Sequence, residues 1–135
     1  MTAALPRRVL GAATAAYGAA VAVRPEILLR PSGLGAGDEP ALRTLTRLVA
    51  LRDLASGLAM AVASGPQARR GVVAVRLASD LADTLVFGRA LAGRPERTKT
   101  LAVTGGWGLL CAAAAGYEAY ADTRRPSTTT PGSGV

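Results

Sequence analysis

Residues 76 to 83 read Arg-Leu-Ala-Ser-Asp-Leu-Ala-Asp and interrupt an otherwise apolar run. At 100° per residue, Arg76, Asp80 and Asp83 fall within about 60° of arc on one helix face. Leu77, Leu81, Leu85 and Val86 point elsewhere. The pattern predicts a membrane helix whose charged stripe is turned toward a protein interior. Any chemistry the chain performs is expected on that stripe.

The 135-residue length fits one domain. Half the residues are hydrophobic, but alanine dominates and only five residues are aromatic. A water-soluble core of this size would use more Leu, Ile and Phe, because Ala buries little area. Sixteen Arg and Lys against nine Asp and Glu give a net charge of +7. Such a balance suits nucleic acid, anionic lipid or the loops of a membrane protein. The cations are scattered at the ends of hydrophobic runs, without a clustered basic face or stacking aromatics, which argues against nucleic-acid binding. There is no histidine, which removes the usual general base and the commonest metal ligand. No Ser-His-Asp or Cys-His set can form. The single cysteine, Cys111, sits in Gly-Leu-Leu-Cys-Ala-Ala-Ala and reads as a small buried hydrophobe.

Four helices are expected, at about 9–24, 41–63, 71–92 and 100–120, within a membrane domain of residues 1–123. Residues 9–23 are uncharged and bracketed by Arg7, Arg8 and Arg24, whose side chains can snorkel to the surface. Gly11, Ala15 and Ala19 form a small-residue row suited to close helix contact. A cleavable signal peptide over residues 1–22 is the rival reading of this segment. Pro25, Pro31 and Pro40 with Gly33, Gly35 and Gly37 mark a loop, in which Glu26 to Leu29 fits one amphipathic turn. Ser64-Gly65-Pro66 ends the second helix, and Arg69-Arg70 mark an aqueous turn. In the fourth helix, Gly105, Gly106 and Gly108 give a neighbour room to approach or the helix a place to bend. Tyr117 and Tyr120 suit an interfacial belt, while Glu118 and Asp122 read as solvated helix-end charges. Residues 124–135 are expected to be a disordered tail.

With the middle turn near residue 67, Asp53 and Asp80 lie at matching depth in an antiparallel hairpin, about 20 Å from the turn. Arg47, Arg52 and Arg76 then face Asp53, Asp80 and Asp83, a formally neutral layer. Charges at such depth cost roughly 2.5 to 3.5 kcal/mol each unless paired or wet. One reading is a structural ion-pair network that fixes helix register. A second is a proton- or ion-coupled small-molecule transporter. A third is a membrane enzyme in which Asp80, Asp83 or Asp53 acts as general acid on a lipid or isoprenoid, with Tyr17, Phe87 and Trp107 lining the pocket. A soluble helical bundle is the fourth. No metal and no cofactor are expected. The expected partners are the lipid bilayer, a second copy of the chain in a homo-oligomer, and an unidentified small molecule or lipid. The Arg and Lys counts on the two sides tie at six each, and both termini are placed in the cytoplasm, in a multi-pass plasma-membrane arrangement, because that side's cations have fewer acidic neighbours.

At Arg47-Leu-Val-Ala-Leu-Arg52-Asp53-Leu-Ala-Ser-Gly57-Leu the chain resembles a family of small actinobacterial four-helix membrane proteins of unknown function. Their pattern is Arg-x-x-x-x-Arg-Asp-x-x-x-Gly followed by a helix with two nearby Asp, as Asp80 and Asp83 stand here. A Pro-containing loop after the first helix, like Arg24-Pro25-Glu26, is also similar. The resemblance covers about residues 5 to 120 and is broadly DoxX-like. It implies an all-α, four-helix transmembrane bundle with antiparallel neighbours and supplies no activity.

Overall fold

The computed structural model describes residues 3–35 and 37–124. Apart from Arg124, the tail expected to be disordered lies outside the described residues. The fold is all-helical, with no strand among the described residues. Its elements are α1 (Leu5–Val23), α2 (Glu26–Leu29), α3 (Pro40–Val62), α4 (Pro66–Ala90) and α5 (Glu96–Thr123). The short α2 is the expected turn, but its Leu29 is fully buried.

The long helices α1, α4 and α5 begin several residues before the expected bounds because proline starts them. Pro6, Pro40 and Pro66 occupy the first turns of α1, α3 and α4, and Pro95 precedes α5. A first-turn residue needs no intrahelical N–H bond, so the missing donor costs nothing there. Arg69 and Arg70 therefore lie inside α4 and not in a turn. Reversal between α3 and α4 falls on Gly65, whose φ of +86° favours glycine.

The packing begins with two antiparallel pairs. Backbone meets backbone between α1 and α3. A Cβ added to Gly57 would lie 2.5 Å from Ala15 N, and one on Gly18 would lie 2.6 Å from Ala50 O. The small-residue row is thus Gly11, Ala15 and Gly18, with Gly18 taking the place expected of Ala19. In the second pair, Gly108 of α5 lets Asp80 of α4 approach its backbone, and Thr84 Oγ1 donates to Thr104 Oγ1 at 3.2 Å. Gly105 and Gly106 have no close neighbour. The pairs join less closely, α3 to α4 through long ionic side chains and α1 to α5 through Trp107 and Arg7. The ring α1–α3–α4–α5 closes with every neighbour antiparallel.

Charged and hydroxyl side chains lie in the interior of this ring beside apolar ones such as Val21, Met60 and Leu91. Arg7, Thr14, Thr46, Arg76, Asp80, Thr100 and Glu118 are buried. Leu48, Leu51, Leu58, Val75, Leu81, Leu85, Val86, Leu109 and Leu110 are exposed. By length and composition, one helix among the described residues, Glu96–Thr123, is long and apolar enough to cross a membrane, where four are expected. Charges within α1, α3 and α4 lower the mean hydropathy of those helices.

Candidate functional site: a charged chain beside an interior cavity

The register of α3 against α4 brings five of the expected residues into one alternating chain, Asp83–Arg52–Asp53–Arg76–Asp80. Arg52 Nη1 and Nη2 donate to the two oxygens of Asp83 at 3.1 and 2.6 Å. One turn before Asp80, Arg76 does the same, with Nε 3.1 Å from Oδ2 and Nη2 bonded to Oδ1. These are two fork-on-fork pairs, the strongest geometry open to a guanidinium and a carboxylate. Asp53 stands between them. Its Oδ1 accepts from Arg52 Nη2 at 3.1 Å and from Arg76 Nη1 at 2.8 Å, while Oδ2 takes part in neither bond. Among the described residues, Arg52 Nε is the buried side-chain polar atom without a hydrogen-bond partner.

Arg47 does not join. It is exposed and donates to Ala22 O at 3.2 Å, at the end of α1. Five positions separate it from Arg52, which turns it about 140° around the helix. The expected neutral balance of three against three is thereby corrected: two guanidinium groups face three carboxylates. Asp80 and Asp83 each face a fork, and Asp53 shares one oxygen between the two guanidinium groups.

This chain borders a cavity of about 280 Å³ between the four long helices. Asp53, Arg76, Asp80 and Asp83 line it on one side. Tyr17 from α1, Phe87 from α4 and Trp107 from α5 also line it. Phe87 and Trp107 are the only phenylalanine and tryptophan of the sequence. Trp107 Nε1 donates to Thr14 Oγ1 at 3.0 Å, and that hydroxyl donates to Leu10 O at 2.9 Å. The indole is therefore held in place across the α1–α5 seam. The volume lies just below the ~300–1,000 Å³ common for drug-sized ligands. Among the described residues, no cluster of acids and cysteine is placed to hold a metal ion. Cys111 is buried as a lone small residue.

A second ionic cluster was not legible as a site. Arg7, expected to snorkel, has a side chain only 1% exposed, and Glu118, expected to be solvated, is 7% exposed. Arg7 Nε donates to Glu118 Oε2 at 2.8 Å, and its Nη groups bond the carbonyls of Met60 and Ala63. The last carbonyls of α3, which have no intrahelical partner, are satisfied this way. Arg69 Nη1 donates to Glu118 Oε1 at 2.7 Å and to Asp122 Oδ2 at 3.3 Å. Side-chain spacing carried a signal. Cys111, Ala114 and Glu118 fall on one face of α5, and that face is the buried one.

No protein-family model, no curated protein and no solved structure matches the chain.

Proposed function

We propose that this chain is a multi-pass integral membrane protein that holds a small molecule in the cavity at its centre. The observation that carries the reading is the distribution of exposed charge. On α4, the exposed residues between Arg70 and Arg89 are Gly71, Ala74, Val75, Ala78, Leu81, Ala82, Leu85 and Val86. That stretch of 71–88 is about 27 Å long at 1.5 Å per residue, close to the ~30 Å hydrocarbon core of a bilayer. The corresponding stretches 9–23 of α1 and 100–121 of α5 expose no charged residue, and span about 22 and 33 Å. Exposed cations gather at the two rims. A hydropathy average counts Arg76 and Asp80 against α4 wherever they point, whereas a bilayer meets only the outer face. An inward ionic layer with an apolar exterior is the arrangement expected where lipid replaces water as solvent.

Within that frame the geometry favours binding over general-acid catalysis, because both oxygens of Asp80 and of Asp83 are engaged by a guanidinium. Orientation is also affected. Among the described residues, Arg47 and Arg89 join Arg24, Arg30, Arg94, Arg97 and Lys99 as exposed cations of one rim, against Arg8, Arg70 and Arg124 at the other. By the positive-inside rule this supports the reverse of the sequence expectation, with both termini outside the cytoplasm.

Alkaline carbonate treatment of membranes containing the protein tests the first half: it stays in the pellet if the helices span, and its release into the supernatant overturns the proposal. Titration of the purified protein with bromobenzene tests the second. Saturable quenching of Trp107, the one tryptophan, is expected; linear quenching without saturation would mean that the cavity takes no ligand.

A further inference from the structure

The ligand class follows from the net charge of the ionic chain, two guanidinium groups against three carboxylates. Asp80 and Asp83 are each held by a fork, and Asp53 shares its Oδ1 between the two guanidinium groups, so the chain carries one negative charge more than it has positive. Asp53 lines the cavity together with Tyr17, Phe87 and Trp107. A partly buried group with net negative charge favours a cation beside it. Aromatic faces attract a cation through the ring quadrupole, and a weakly hydrated organic cation gains most from them. Each of these groups alone has an ordinary structural reading. Their convergence on one small cavity, from four different helices, does not follow from helix packing alone. A chain with five aromatic residues places three of them there.

Resting on the cavity reading above, we infer that the occupant is a small organic ammonium ion, its charged nitrogen beside Asp53 and its apolar substituents against Tyr17, Phe87 and Trp107. The size limits it to a compact amine or quaternary ammonium compound smaller than a typical drug. A metal or alkali cation would leave the aromatic lining unused. An anionic ligand would meet the surplus negative charge of the ionic chain.

The test compares benzyltrimethylammonium with neopentylbenzene, its uncharged isostere, on the full-length protein in detergent. Trp107 fluorescence reads binding, with both probes compared at equal free concentration in water. Benzyltrimethylammonium is expected to bind saturably and at least tenfold more tightly, and Asp53→Asn is expected to abolish that preference. Equal binding of the two probes would overturn the cation assignment and leave the cavity reading standing. Binding of neither would overturn both. Should Asp53→Asn fail to fold, the wild-type comparison of the two probes decides the matter without it.

Discussion

Two ionic clusters built from the same residue types divide this bundle between them. The cluster at the terminal rim joins Arg7 and Arg69 to Glu118 and Asp122 and ties α1, α4 and α5 to the last carbonyls of α3. The central cluster sets Arg52 and Arg76 against Asp53, Asp80 and Asp83, and opens on a cavity. A buried Arg7–Glu118 pair that also holds two backbone carbonyls makes a clamp. A chain with one more carboxylate than guanidinium, bordering a cavity, has a different character. Counting charges is therefore not enough to tell structure from function; which oxygen each guanidinium engages decides it.

Substitutions can break that contrast in order of size. Glu118→Ala leaves Arg7 buried without its carboxylate, and breaking a buried pair typically costs about 3–5 kcal/mol. The expected outcome is loss of the folded, monodisperse protein in detergent, read by thermal melting and gel filtration. Asp80→Asn removes one fork and leaves Arg76 only Asp53, so a cost of about 2–3 kcal/mol is expected by the same measurement. Asp53→Asn sharpens the comparison most, because it removes the surplus charge and leaves both forks intact. Its expected cost is about 1.5 kcal/mol, because the amide oxygen can still accept from Arg76, while ammonium binding is lost. A destabilisation as large as that of Asp80→Asn would make Asp53 part of the clamp instead. Asp122→Asn, at the exposed edge of the rim cluster, is expected to change stability by less than about 0.5 kcal/mol, as exposed ion pairs do. Orientation has its own check. A membrane-impermeant maleimide should label a cysteine introduced at the N-terminus of intact cells; labelling only after lysis would restore the cytoplasmic placement.

How much of the site could be read beforehand depended on distance along the chain. Arg76, Asp80 and Asp83 lie within eight residues, and a 3.6-residue repeat puts them on one face without knowledge of anything else. The matching depth of Asp53 and Asp80 needed only a short link between two helices, and Arg76 does bond both. Arg47 enters the expected layer only as the third guanidinium against three carboxylates, and its angle around α3 places it on another face. The Arg7–Glu118 pair joins residues near opposite ends of the chain, and nothing local in either segment names the other.

What the sequence by itself determined is the set of long helices and the stripe of charge on α4, because helical periodicity acts over a few residues. The tertiary structure decided the rest: which guanidinium meets which carboxylate, that Arg7 and Glu118 are interior, and that Tyr17, Phe87 and Trp107 share one cavity with Asp53. Those outcomes depend on the angle and register at which glycine-lined backbones lock together, and close packing propagates such choices across the whole bundle.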